Sequence, residues 1–128
     1  GLRIPGAVEI EGNIEGEGWG NVVAERHAGI ELSGQAAASF RDGGKARVRV
    51  PAELRGPARL RLRVHPRRPF EAIEEHRAGG DQLATLSYRA GTVVYDVAEV
   101  ELGDEPLVLE VTTRGAPMLD CWIIEPRN

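Results

Sequence analysis

Lys45-Ala46-Arg47-Val48-Arg49-Val50-Pro51 and Ala58-Arg59-Leu60-Arg61-Leu62-Arg63-Val64 are the two stretches that decide the fold class. In the first, Ala46, Val48 and Val50 alternate with Lys45, Arg47 and Arg49. In the second, Ala58, Leu60, Leu62 and Val64 alternate with three arginines. Side chains of period two point to opposite faces of an extended chain, so each stretch is a strand with one buried and one wet face. Pro51 removes a ladder donor and stops the first strand, and Gly56-Pro57 leads into the second.

The same alternation continues outward. Ala7 to Glu11 sets Val8 and Ile10 against Glu9 and Glu11, Thr92 to Leu102 is a further strand, and so are Leu107 to Thr113 and Met118 to Glu125. Gly29 to Phe40 reads as extended, and Asp42-Gly43-Gly44 reads as a turn after it. Gly12, Gly16, Gly18 and Gly20 mark a long loop that carries Trp19. Pro69 to Arg77 fits a short helix by the spacing of Phe70, Ile73 and Arg77, or one arm of a hairpin turning at Ala78-Gly79-Gly80. The period-two surroundings favour the hairpin, with Gln82–Tyr88 returning. The expectation is an all-β sandwich of about eight or nine short antiparallel strands with frequent turns.

Length and composition agree with one domain over residues 1–128, of the kind found as a module cut from a longer protein. A hydrophobic fraction of 41% is enough for a core, and one cysteine, Cys121, rules out an internal disulfide. No apolar stretch approaches membrane-spanning length, and no membrane partner is expected. Net charge is −4, which argues against nucleic acid. Arg55, Arg59, Arg61, Arg63, Arg67 and Arg68 form a local basic stretch, which period-two alternation explains as the outer face of a strand. A polyanion-binding arginine row is the competing reading, tested by salt-sensitive retention on heparin.

Catalytic motifs are lacking. His27, His65 and His76 are isolated, no serine sits in a nucleophile-elbow context, and the Gly16–Gly20 run is acidic with no helix after it. No enzymatic activity is expected. The chemically odd feature joins the two ends of the chain. Glu9 and Glu11 share one side of a strand, and Asp120 interrupts the apolar run Met118-Leu119-Asp120-Cys121-Trp122-Ile123-Ile124. A carboxylate there needs a cation, either a metal or a basic side chain. If the first and last strands are neighbours, the three carboxylates converge, and calcium suits their hard oxygen ligands. The competing reading makes Glu9 and Glu11 solvated edge residues and Asp120 a turn cap.

Glu9-Ile10-Glu11, the block Arg41-Asp42-Gly43-Gly44-Lys45 to Pro51 with Leu60-Arg61-Leu62-Arg63-Val64, and the closing Leu119-Asp120-Cys121-Trp122-Ile123 resemble carbohydrate-binding modules of families 6 and 35. The resemblance implies a jelly-roll sandwich of the galactose-binding type, attached to a secreted glycoside hydrolase. It implies calcium held by Glu9, Glu11 and Asp120, tying the terminal strands together. It further implies a polysaccharide or oligosaccharide ligand, a covalently linked catalytic domain and an extracellular location.

The sugar site departs from the family. Met118 stands where many members carry Asn, and Ala46 stands where family 6 often has an aromatic residue. Of six aromatic residues, Phe40 and Trp122 lie within apolar strands and belong to the core. Trp19 and Tyr88 are the candidate sugar-binding platforms. The alternative function is a structural or protein-interaction sandwich without sugar binding, favoured if Trp19 is buried against the sheet.

Overall fold

The computed structural model describes all residues except 1, 11–12, 24–25, 28–29, 51–52, 65–72, 79–80, 88–91, 105–106, 115–117 and 128, and the side chains of 21–30, 73–78 and 81 are likewise left aside. The described chain is all-β. Its strands are β1 (Ala7–Glu9), β2 (Ile14–Val23), β3 (Arg26–His27), β4 (Ile30–Glu31), β5 (Ala36–Arg49), β6 (Gly56–Val64), β7 (Ile73–Ala78), β8 (Asp81–Ser87), β9 (Val94–Leu102), β10 (Val108–Arg114) and β11 (Met118–Pro126). Nine of these form one antiparallel network in the order β8-β7-β10-β5-β11-β6-β9, with β1 added on β11 and β2 on β5; β3 and β4 pair separately.

The network folds over at the point where the start of β5 meets the start of β11, through Ser39–Met118 and Ala38–Leu119. One layer is therefore β2-β5-β10-β7-β8 and the other β1-β11-β6-β9. Ala46, Val48, Leu109 and Val111 from the first layer share a core with Leu60, Leu62, Trp122 and Ile124 from the second. A sheet face that water could reach would not bury these residues to 2% exposure or less, as they are here. The two inner faces cover each other. This is the sandwich expected from the alternation and the jelly-roll that the resemblance implies, and Phe40 and Trp122 sit in its core as expected.

Of the segment that fits a helix or a hairpin arm, Ile73–Ala78 is strand β7 paired with β8, as the surroundings favour, and 69–72 lie outside the described residues. Two other expectations are corrected. The glycine-rich segment read as a loop is strand β2, paired along its length with β5. The Asp42-Gly43-Gly44 turn lies inside β5 as an excursion: Arg41 to Gly44 stand opposite Gly18 alone, between the pairs Glu17–Lys45 and Trp19–Phe40. The glycines permit this. Gly18 and Gly43 have φ of 75° and 79°, and a Cβ on Gly18 would lie 2.9 Å from the Gly44 Cα. The buried Thr113 hydroxyl reaches the carbonyls of Arg41 and Gly44, both at 3.3 Å, and ties the excursion to β10.

Candidate functional site

Strand β11 pairs with β6 on one side and β1 on the other, so the first and last strands are neighbours as expected. Glu9 faces Cys121, and Cys121 faces Arg63, which places all three side chains on one face across three strands. Asp120 reaches the same group through a bulge. The β11–β6 register runs Leu119–Val64 and then Cys121–Arg63, leaving Asp120 as the extra residue. Before the bulge Leu119 points into the main core, and after it Trp122 and Ile124 do. The bulge therefore switches the face of the strand and leaves Asp120 beside Cys121 on the side away from that core.

This side of β11 is nonetheless covered, and Asp120 is fully buried. The N-terminal segment lies near it: Leu2 donates its N–H to the Leu32 carbonyl at 2.8 Å and bridges to Ser33. The Ser33 N–H donates to both Asp120 oxygens, at 3.0 and 2.9 Å. The Ser33 hydroxyl donates to Glu9 Oε1, and Arg63 Nη1 donates to Asp120 Oδ2 within a buried ion pair. Ligand atoms of Glu9, Asp120 and Cys121 lie within 4.8 Å of one another, a group that could hold a metal ion. Burial and the neighbouring Asp120 and Glu9 charges push the Cys121 thiol up to about 12, against smaller lowering by the Ser33 hydrogen bond and Arg63. Glu11 lies outside the described residues.

Calcium takes six to eight hard oxygen ligands. Among the described residues one of the three potential ligands is a sulfur, and Asp120 already accepts from Arg63 and from a backbone N–H. The sequence signal for the carboxylates was correct in bringing Glu9 and Asp120 together. The signal for Arg63 was also present, since it closes the arginine alternation nearest the end of β6, but alternation alone gave it to solvent.

The remaining arginines of β6 do face outward, and they are matched by acids. Arg59 pairs with Glu99 at 3.3 Å, and Arg61 with Asp96 and Glu125 at 2.9 Å each. Arg127 adds a second ion pair to Glu99. Among the described residues the row is a charge-compensated sheet face, as period-two alternation suggests, and Arg67 and Arg68 lie outside them.

Trp19 lies on β2, half-buried and packed against the core, with Phe40 as its register partner. Its indole N–H is buried and has no hydrogen-bond partner among the described residues. Tyr88 lies outside the described residues. What the sequence did not reveal is an open cleft of about 360 Å³ across β2, β5 and β10, lined by Gly16, Glu17, Lys45, Arg47, Glu110 and Thr112 among others. Its polar side chains come from register: Glu17 faces Lys45, Lys45 faces Thr112, and Arg47 faces Glu110. Arg47 also pairs with Glu15 at 3.4 Å. Sequence could have placed these residues on outward strand positions, but not side by side, because the β2–β5–β10 pairing joins distant segments.

No protein-family model matches the chain, and no curated protein matches it. Solved structures do. A family 35 carbohydrate-binding module from Clostridium thermocellum superposes with a TM-score of 0.73 at 12% identity, over 92% of this chain and 95% of that one. The GH26-CBM35 β-(1,4)-mannanase of Podospora anserina gives 0.75 at 12% identity, over 95% of this chain and 27% of that one. CsCBM6-3 from Clostridium stercorarium, in complex with cellobiose, gives 0.63 at 12% identity over 96% and 95%. Likeness also extends to modules of families 36 and 61. At such identities the likeness fixes the fold, a jelly-roll shared by several carbohydrate-binding module families, and singles out no one of them.

Proposed function

We propose that this chain is a non-catalytic glycan-binding module, and that the sugar lies in the cleft across β2, β5 and β10. The observation that carries the proposal is the cleft itself. Its volume of about 360 Å³ falls at the lower end of the range for small-ligand sites, and it presents two carboxylates, an ammonium, a guanidinium and a hydroxyl to solvent. Sugar hydroxyls both donate and accept, so a surface alternating carboxylates with cationic donors can satisfy them in pairs. Trp19 follows on the same strand, beyond the register shift that pairs it with Phe40, and is the candidate aromatic contact through its exposed part, with Tyr88 as a second. In this reading the module belongs to a secreted multidomain enzyme. It holds the linked catalytic domain near its polysaccharide by raising effective concentration.

Calcium at Glu9, Asp120 and Glu11, which the resemblance implies, is one of two ways to compensate Asp120, a basic side chain being the other. Such an ion would tie β1 to β11 and stand apart from the cleft, which lies in the other layer. Its bearing is on stability rather than on sugar recognition.

A second reading, a structural or protein-interaction sandwich, is favoured by one observation: Trp19 packs inward and buries its N–H instead of displaying a flat ring. Affinity electrophoresis through soluble polysaccharides separates the two. Retardation on one glycan class, weakened by Lys45→Ala or Glu110→Gln, supports the module. Free migration on the whole panel by folded protein supports the structural domain.

A further inference from the structure

We infer that Arg63 is the resident cation of the Glu9–Asp120 cluster and does the work of a divalent metal in tying the last strand into the sandwich. Three observations meet here. Register places Arg63 opposite Cys121 and Cys121 opposite Glu9, so the guanidinium enters the carboxylate group from β6 by strand pairing alone. The β11 bulge turns Asp120 into that group and nowhere else. Burial then makes the pairing obligatory: the Asp120 side chain is 1% exposed and that of Arg63 11%, against 30% for Arg61 and 36% for Arg59 on the same strand face. A carboxylate so buried must have a cation, and Arg63 is bonded to it.

The Arg63 guanidinium supplies a full positive charge directly to Asp120, so that buried carboxylate is compensated from within the fold. Without Arg63 the charge would have to come from elsewhere, and a metal ion is one source. The same position in the sandwich can thus be neutralised from outside by a metal or from inside by a side chain, and this chain carries the side chain. The bond from β6 to β11 is fixed by the fold, whereas a metal bond would depend on the calcium concentration outside.

The test uses the intact chain, whether or not it binds sugar. Elemental analysis of protein purified without chelator should find no stoichiometric divalent metal. Its melting temperature should agree within about 1 °C in EDTA and in millimolar calcium, because no ion is linked to folding. Arg63→Gln should melt roughly 10 °C lower in EDTA, the scale of a broken buried pair in a domain of this size. Recovery of that loss in calcium would show that an ion can take the place of the guanidinium, and Arg63→Lys should keep more of the stability than Arg63→Gln. The inference is overturned by one equivalent of bound calcium in the wild type, by loss of its melting temperature in EDTA, or by an Arg63→Gln variant as stable in EDTA as the wild type. The wild-type arms stand even if Arg63→Gln does not fold.

Discussion

Trp19 and Phe40 stand opposite each other in the β2–β5 register, immediately beyond the excursion Arg41–Gly44, and both contribute to the core. Phe40 is 2% exposed and Trp19 half-buried, so the indole closes the sandwich at the β2 edge while part of it meets solvent. Trp19→Ala should lower stability by roughly 2 kcal/mol, less than a fully buried aromatic would. Chemical denaturation measures this directly. Glycan retardation on the folded variant reports separately whether the exposed part touches sugar. A loss of retardation with stability retained at assay temperature would make Trp19 a binding residue as well as a packing one.

The cleft makes the opposite prediction. Lys45 is exposed on β5, and Lys45→Ala removes no buried contact. Stability should change by less than about 0.5 kcal/mol, as for ordinary surface substitutions. Affinity for the retained glycan should fall about tenfold, the factor for one charge-assisted hydrogen bond. Unchanged affinity for Lys45→Ala and Glu110→Gln alike would remove the cleft as the sugar site.

The arginine face of β6 yields a third expectation. Arg59 and Arg61 are committed to Glu99, Asp96 and Glu125, and net charge is −4, so heparin should not hold the protein at physiological salt. Arg61→Ala should cost no more than about 1 kcal/mol, because its pairs are partly exposed and screened. Retention on heparin that weakens with salt would restore the polyanion reading.

Strand alternation made the layers legible because each period-two stretch has only one way to hide its apolar side. Glu9 and Asp120 were legible for a related reason: a carboxylate in an apolar run must be compensated. What alternation hides is its own exceptions. Gly16 and Gly18 read as a loop because glycine is a poor strand former, yet here a missing Cβ is what lets β2 approach β5. Arg63 was assigned to solvent because parity gives the face and not what covers it; the segment around Ser33, distant in sequence, does that. The cleft was illegible because adjacency of Glu17, Lys45 and Thr112 depends on register between three separate strands.

Gly16 allows the close approach to be tested. It has φ of 138°, and a Cβ there would lie 2.3 Å from the Lys45 carbonyl oxygen and 2.9 Å from the Ala46 Cα. Backbone cannot retreat without breaking the β2–β5 ladder, so Gly16→Ala should cost about 2 kcal/mol or more. Gly20→Ala, on the same strand with nothing within 4 Å of its Cβ, should fall within about 0.5 kcal/mol of the wild type. Equal denaturation midpoints for the two variants would contradict the packing of β2 on β5.

Cys121 reports the electrostatics of the buried cluster through pH. Its thiol is raised from 9.0 to about 12 by burial first, then by the Asp120 and Glu9 charges. Below the unfolded value the thiol is protonated in both states, and the full contribution to stability is present. Between about pH 9 and 12 the unfolded chain releases the proton while the folded chain keeps it, so stability falls as pH rises through that window. Compared with Cys121→Ala, the wild type should lose an extra ~1.4 kcal/mol per pH unit there. Urea unfolding of both proteins between pH 8 and 10.5 measures the difference, and other titrating groups cancel between them. The native thiol should also resist alkylation at pH 8, since its thiolate fraction is negligible. Alkylation at the rate of a free thiol, or parallel pH profiles for the two proteins, would show that Cys121 is not enclosed by the Glu9–Asp120–Arg63 group.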